Sequence, residues 1–174
     1  DHFQFAIVAD RTGGHRPGVF AEAVEKLNLL NPQFVMSIGD FIEGYSREQA
    51  ELKRQWDEFD GLTAKLHMPF FYVPGNHDIN NEVMAGVWRQ RRGPGYYHFI
   101  YRDVLFLCLN TEDGDSSHIS DEQFDYFRNV IKANTDVRWT LVFLHKPLWW
   151  NPETLDYWKK FVSLLGQRPY TVFA

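Results

Sequence analysis

The segment after residue 73 offers an amide, an imidazole and a carboxylate in succession. The apolar, β-prone run 70–73 ends at a Pro-Gly pair, and the triplet Asn76, His77 and Asp78 follows. Amide oxygens and imidazole nitrogens can bind metal ions, and an imidazole can also transfer a proton near neutral pH. We therefore expect chemistry at this point of the chain.

Three further apolar runs also end in residues that can bind a metal ion. Together with the segment above, they give the ligand candidates Asp10, Asp40, Asn76 and His145. Oxygen and imidazole donors without a thiolate favour Mn, Fe, Zn, Co or Ni over Cu(I) or an iron–sulfur cluster. Each residue alone has a structural alternative, because such residues also cap helices, form turns or serve as ordinary polar groups. Their shared position at the ends of four predicted strands favours metal binding.

The apolar runs predict the elements that position these candidates. A continuous apolar run bounded by turn residues is typical of a strand buried on both faces, and we expect this for the run 70–73. Between the runs, apolar residues at helical spacing, such as Phe20, Val24, Leu27 and Leu30, predict helices that pack on a sheet. In open α/β sheets, ligands bind at the carboxyl ends of the strands, where the candidates stand.

Local patterns refine this α/β interpretation. A Ser-x-x-Gln pattern predicts capping boxes, and hence helix starts, at Ser46 and Ser120. Two β-prone runs, 96–101 and 104–109, are separated only by a short turn candidate and predict an antiparallel hairpin. The sheet system is therefore expected to be mixed.

The motifs, taken in order, resemble those of the calcineurin-like metallophosphoesterases. That family's pattern is Asp-x-His, Gly-Asp, Gly-Asn-His-Asp or Gly-Asn-His-Glu, a further His, and a final Gly-His-x-His. The chain supplies, in the same order, Asp10, Gly39-Asp40, Gly75-Asn76-His77-Asp78 and His145. The resemblance implies an α/β fold with four αββα layers and mixed sheets, with residues 1–174 forming a single domain.

The resemblance also implies a dinuclear metal centre. Asp40 would bridge the two ions, Asp10 would belong to the first, and Asn76 and His145 would belong to the second. The implied activity is that of a phosphoric ester hydrolase, in which water activated by the two ions cleaves a phosphate monoester or diester. The substrate would be a small-molecule or macromolecular phosphate ester.

Catalytic and substrate-binding roles follow from the same resemblance. His77 would protonate the leaving group or contact the phosphate, and Asp78 would orient its imidazole. Asn76 would contact the substrate as well as a metal ion. Arg11 has two interpretations of equal weight, because its planar guanidinium suits either a phosphate oxygen or a structural carboxylate.

Two departures from the family pattern stand out. Thr12 occupies the position of the first histidine, so one nitrogen ligand is missing, and this favours an alternative function as a binding domain with weak or no catalysis. His15 follows a glycine pair and is either a substitute ligand or a solvated loop residue. The final Gly-His-x-His segment is not present by Ala174, so we expect a domain truncated at its C-terminus.

Composition excludes several classes of protein. A single cysteine, Cys108, cannot form an internal disulfide and is expected in the core. A formal charge of −5 argues against a broad nucleic-acid-binding surface. No apolar stretch reaches the ~20 residues that cross a bilayer, so we expect a soluble protein, either cytoplasmic or exported after loss of a signal segment. The sequence leaves the oligomeric state open.

Overall fold

A computed structural model describes residues 2–113 and 119–174. The chain divides into two compact units, Asp1–Gly93 and Pro94–Ala174. Each unit has a sheet of its own. That residues 1–174 form a single domain stays a prediction.

The first unit alternates strands with helices. Its elements are β1 (Phe5–Val8), α1 (Val19–Leu30), β2 (Phe34–Ser37), α2 (Gln49–Thr63), β3 (Phe70–Phe71) and α3 (Glu82–Arg92). The strands are parallel and lie in the order β1-β2-β3. Because their carboxyl ends meet at one edge of the sheet, the segments that follow the three strands come together there.

The central strand β2 is the most buried of the three, and all four of its residues are buried. By contrast, β3 is an edge strand of two half-buried residues, which pair only with Val35 and Met36 of β2. The expectation that the run 70–73 is buried on both faces is therefore wrong for its paired residues, because a strand at the edge of a sheet is less completely surrounded by other elements than a central strand. Val73, beyond the pairing, is fully buried.

An aromatic core fixes the segment that follows β2. Phe41, directly after Asp40, packs within 5.0 Å of the Phe59 ring of α2 and within 6.3 Å of the Trp88 ring of α3, measured between ring centroids. All three side chains are buried. Burying large aromatic side chains stabilises their positions strongly, so the backbone next to Asp40 is held by the core.

Two predictions about the helices of this unit need correction. The helix α2 begins after Glu48, while the Ser46 hydroxyl accepts a hydrogen bond from the Glu48 N–H instead of capping the helix. In α1, Val24 and Leu27 are buried as the spacing predicts, but Leu30 is 73% exposed. Leu30 is the last residue of the helix and lies beyond the buried pair Val24 and Leu27.

The second unit contains the predicted hairpin. Its elements are β4 (Tyr97–Tyr101), β5 (Val104–Cys108), α4 (Asp121–Ala133), β6 (Trp139–Phe143), α5 (Pro152–Leu165) and β7 (Tyr170–Phe173). The strand order is β4-β5-β6-β7, with β4 antiparallel to β5 and the other pairs parallel. Arg102 and Asp103 both have positive φ, as the tight turn of a two-residue hairpin requires. The mixed sheet is thereby confirmed.

Local interactions in the second unit confirm further expectations. Ser120 caps α4 by accepting the Gln123 N–H, but the Gln123 side chain binds the backbone of Asn110 instead of closing a capping box. Cys108 is fully buried, and burial raises the pKa of its thiol to about 12. None of the helices in the described ranges has the length and apolar character needed to cross a lipid bilayer.

Candidate metal centre

Asp10 and Asp40 bring two carboxylates together at the carboxyl edge of the first sheet. Asp10 follows β1, Asp40 follows β2, and a carboxylate oxygen of each lies within 4.8 Å of the other. Asp40 is only 6% exposed, whereas Asp10 is open to solvent. Two negative charges at this separation repel each other, and a cation bound by both removes the repulsion. The pair therefore has the chemistry of a metal site.

The backbone at both aspartates adopts the left-handed conformation. The φ angles are 45° at Asp10 and 62° at Asp40. Aspartate adopts this conformation more readily than most residues, and such positions persist only where the surroundings fix them. The two segments are joined by a hydrogen bond from the Asp10 N–H to the Gly39 carbonyl at 3.3 Å. The carboxylates are thus held in place by the backbone that carries them.

Asp78 is the structural centre of the site. Its fully buried carboxylate accepts hydrogen bonds from the backbone N–H groups of Asp40, Phe41 and Gly75, each at 2.8 Å. Burial raises the pKa of this carboxyl, the three N–H donors lower it and the negative charge of Asp40 raises it, so that the pKa lies at about 7. One side chain therefore joins the segment after β2 to the segment after β3.

The predicted orienting role of Asp78 toward His77 is wrong. The His77 Nδ1 atom lies 2.8 Å from the carbonyl oxygen of Glu43, so the backbone of another loop orients the imidazole. A carbonyl can only accept, and Nδ1 therefore carries a proton in this hydrogen bond. The His77 backbone N–H donates to Asp40 Oδ1 at 3.1 Å. His77 and Asp78 are adjacent in the sequence, but their side chains bind different partners.

Asn76 and His77 both face partners within the first unit. The Asn76 amide nitrogen donates to the Tyr45 hydroxyl at 2.6 Å. The His77 Nε2 atom lies against Gly13, where an added Cβ would come within 3.3 Å of it. The structure thus gathers Asp10, Asp40, Asn76 and His77 in segments that are directly hydrogen-bonded or in contact.

His145 follows β6 in the second unit and is half-buried. Leu144, directly before it, and Leu148, three residues after it, are buried in the hydrophobic core of the second unit. The next residue, Lys146, forms an ion pair with Glu112 at 2.8 Å. These contacts hold the His145 segment against its own sheet. Burial raises the pKa of Glu112, and the hydrogen bond and charge of Lys146 lower it.

Comparisons with known proteins agree with this geometry. The sequence profile of the calcineurin-like phosphoesterases matches residues 3–165. The chain belongs to this family. A curated family relative, the serine/threonine-protein phosphatase CPPED1 of Danio rerio, is 28% identical over 141 residues. That alignment covers 73% of this chain and 45% of the relative, so the chain spans less than half of the relative's length.

Solved structures confirm the predicted fold class. A dimetal phosphatase from Danio rerio matches with a TM-score of 0.67 and 14% identity, over 95% of this chain and 78% of that protein. GAP50, described as the anchor in the inner membrane complex of Plasmodium, matches with a TM-score of 0.63 and 14% identity, over 91% and 61%. The calcineurin-like phosphoesterase fold therefore occurs in proteins described both as an enzyme and as an anchor.

Where the family pattern has its first histidine, the chain has Thr12, whose hydroxyl is hydrogen-bonded to backbone carbonyls. Thr12 is buried, and its hydroxyl lies 3.0 Å from the Asp40 carbonyl and 2.7 Å from the Ile42 carbonyl. Because carbonyls only accept, the single proton of the hydroxyl is shared between them, with the shorter distance to Ile42. Thr12 thus ties the segment after β1 to the segment after β2. His15 is exposed to solvent.

Valine in place of Thr12 is expected to lower the free energy of unfolding by about 1 to 2 kcal/mol, because the Ile42 carbonyl loses its hydroxyl donor. The metal content is expected to stay unchanged, because the proposed ligands Asp10, Asp40, Asn76 and His145 are all kept. Urea unfolding and elemental analysis measure both quantities. Thr135→Val, at an exposed position, is the matched control. Loss of one bound ion in Thr12→Val would identify the hydroxyl as a ligand.

Of the two interpretations of Arg11, the structure favours the structural carboxylate. Its guanidinium forms an ion pair with Glu58, donates to the Phe41 carbonyl at 2.9 Å and lies 5.6 Å from the centre of the Phe59 ring. The side chain is largely buried. These contacts anchor the segment after β1 to the helix α2.

The absence of a side chain at Gly75 leaves room for the carboxylate of Asp40. A Cβ at this position would lie 2.2 Å from Asp40 Oδ1 and 2.7 Å from the Asp40 backbone nitrogen. Gly75→Ala is therefore expected to displace Asp40, weaken metal binding at least tenfold and lower the free energy of unfolding by about 2 kcal/mol. Isothermal titration with Mn²⁺ and urea unfolding measure these effects.

Gly86→Ala is the control for this substitution. Gly86 lies within α3, where an added Cβ meets no atom within 4 Å. Alanine favours a helix over glycine by about 0.8 to 1 kcal/mol, so this variant should be at least as stable as the wild-type protein and bind metal equally well. Equal metal affinity in both alanine variants would contradict the role given to Gly75.

Proposed function

We propose that this protein hydrolyses phosphate monoesters or diesters with a dinuclear metal centre. The observation that carries the proposal is the Asp10–Asp40 carboxylate pair, held at one sheet edge in a chain of the calcineurin-like phosphoesterase family. A buried aspartate beside a second carboxylate is costly without a counter-charge, which supports a resident cation.

The proposed ligands are Asp10, Asp40, Asn76 and His145, with Asp40 bridging two ions, as the family resemblance assigns them. Oxygen and imidazole donors suit Mn, Fe, Zn, Co or Ni. When bound, the ions would supply positive charge to the phosphoryl oxygens and make water nucleophilic near neutral pH. Thr12 is not among the proposed ligands, and its hydroxyl is hydrogen-bonded to the carbonyls of Asp40 and Ile42.

His77 is the proposed proton donor to the leaving oxygen. Its Nδ1–H is held by the Glu43 carbonyl, so the proton that it transfers belongs to Nε2. Its backbone N–H donates to Asp40 Oδ1, which couples the position of the imidazole to that of the proposed bridging carboxylate. Asp78 supports both residues by fixing the surrounding backbone. Arg11 is committed to Glu58, so we do not propose it as a phosphate contact.

Metal content and turnover, measured together on the full-length protein, test the proposal. We expect two equivalents of metal and hydrolysis of p-nitrophenyl phosphate or bis(p-nitrophenyl) phosphate. His77→Ala should lower kcat by roughly 10²- to 10⁴-fold with unchanged metal content, because it removes a proton donor and leaves the proposed ligands in place. His67→Ala, an exposed histidine of the same unit, is the control.

The alternative is a metallophosphoesterase-like domain that binds metal or ligand without turnover. The specific observation that favours it is Thr12. This residue stands where the family has a histidine ligand, and its hydroxyl is hydrogen-bonded to backbone carbonyls. GAP50, which is described as an anchor, shares the fold. Less than one metal ion per chain together with no hydrolysis of either ester would support this alternative and reject the enzyme.

A further inference from the structure

Tyr45 contacts both residues of the Asn76-His77 pair. Its hydroxyl lies 2.6 Å from the Asn76 amide nitrogen, and its ring stands edge-on to the His77 imidazole with centroids 4.7 Å apart and an interplanar angle of 84°. We infer that Tyr45 is a positioning residue, which fixes the Asn76 amide and the His77 imidazole for metal binding and proton transfer. This inference rests on the proposed function.

The contact with Asn76 decides which atom of the amide faces the proposed ion. A side-chain amide has one oxygen, which can bind a cation, and one NH₂ group, which can only donate hydrogen bonds. Because the nitrogen is held by the Tyr45 hydroxyl, the amide cannot turn its NH₂ group into the metal position without losing a 2.6 Å hydrogen bond. Groups that orient a ligand in this way usually affect metal affinity about 10- to 100-fold.

The contact with His77 is one of three that the consecutive residues 43–45 make with this histidine. The Glu43 carbonyl accepts the Nδ1 proton of His77. A Cβ on Gly44 would lie 1.8 Å from the His77 carbonyl oxygen, so the two backbones touch and only glycine fits. The Tyr45 ring then packs against the imidazole at nearly a right angle. Three consecutive residues thus limit the movement of one histidine.

The conformation of Tyr45 argues against a purely structural role. It has a φ angle of 49°, which a bulky aromatic residue rarely adopts, and it is 56% exposed. Burial of a ring this exposed contributes little to stability, and the positive φ costs stability. Strained residues of this kind cluster at functional sites, where the surroundings impose the strain.

Tyr45→Phe tests the inference, because it removes the hydroxyl and keeps the ring. In the metal-free protein, we expect the Asn76 side-chain amide resonances in ¹⁵N-resolved NMR spectra to lose the downfield shift of a hydrogen-bonded proton. In titrations with Mn²⁺ alone, we expect the affinity to fall about tenfold or more. Tyr170→Phe, a partly exposed tyrosine in β7, should change neither quantity.

Tyr45→Asn removes both contacts while keeping the backbone conformation, which asparagine adopts more readily than tyrosine. We expect its thermal midpoint to equal or exceed that of the wild-type protein while its Mn²⁺ affinity falls at least as far as in Tyr45→Phe. A lower midpoint with unchanged affinity would show a structural role and overturn the inference. Unchanged Asn76 amide resonances in Tyr45→Phe would also overturn it.

The two proposals fail in different ways. If the wild-type protein binds no Mn²⁺, the proposed function fails, and the claim that Tyr45 serves metal binding fails with it. If the wild-type protein binds Mn²⁺ and Tyr45→Phe binds it equally well, only the inference about Tyr45 fails. The amide resonances of the metal-free protein decide independently whether Tyr45 orients Asn76.

Discussion

Asparagine in place of Asp40 is expected to remove metal binding and hydrolysis together. The substitution keeps the shape of the side chain and can still accept the His77 N–H, but it removes the buried negative charge and the proposed bridge between the ions. Loss of several kcal/mol of charge stabilisation in the transition state corresponds to a fall in kcat/KM of about a thousandfold or more. Elemental analysis and p-nitrophenyl phosphate hydrolysis measure the two effects.

The metal-free Asp40→Asn protein should be as stable as the wild-type protein or more stable. Its carboxylate partner Asp10 lies within 4.8 Å, and removing one of two like charges relieves repulsion. A stabilised but inactive variant is the expected sign of a residue kept for function at a cost in stability. Asp156→Asn, 89% exposed at its side chain, controls for loss of a carboxylate as such. Retained metal and activity in Asp40→Asn would reject the proposed bridge.

Asparagine in place of Asp78 is expected to have the opposite effect, a large loss of stability. The carboxylate accepts three backbone N–H groups, one at Oδ1 and two at Oδ2. An amide would place its NH₂ group against at least one of these donors in a fully buried site. Unpaired buried donors cost about 1 to 3 kcal/mol each, so we expect the free energy of unfolding to fall by about 3 kcal/mol.

Urea unfolding in the presence of EDTA measures this loss without a contribution from metal binding. Asp156→Asn again serves as the control, because its position is open to solvent. The predicted order is a destabilised Asp78→Asn protein and a stable Asp40→Asn protein. Equal stability of the two variants would contradict the separation of a structural from a metal-binding aspartate.

Asp40 and Asp78 have different roles in the site: we propose metal binding for Asp40 and a structural role for Asp78. Asp40 presents its carboxylate beside Asp10, whereas Asp78 turns its own carboxylate inward to the backbone of residues 40, 41 and 75. The Gly-Asn-His-Asp motif therefore combines a proposed ligand, a proposed acid and a buried hydrogen-bond acceptor. Buried polar groups that are fully hydrogen-bonded give a loop a single conformation.

The sequence alone determined the strand ends that carry the candidates. Continuous apolar runs followed by polar residues predicted that Asp10, Asp40, Asn76 and His145 follow strands, and each does. The hairpin and the capping by Ser120 were also predictable, because turn and cap preferences are local. Asn81 before α3 and Asn151 before Pro152 of α5 both cap their helices, and each is a local signal of a helix start.

Tertiary structure alone decided what each polar group contacts. Asp78 accepts hydrogen bonds from the N–H groups of Asp40 and Phe41, which precede it by 38 and 37 residues. Asn76 contacts Tyr45, which precedes it by 31 residues. Contacts over such separations have no sequence signature. The same is true of Thr12, Arg11 and the short edge strand β3. Motif spacing reports which side chains reach one sheet edge, whereas their hydrogen-bond partners depend on how separate loops pack there.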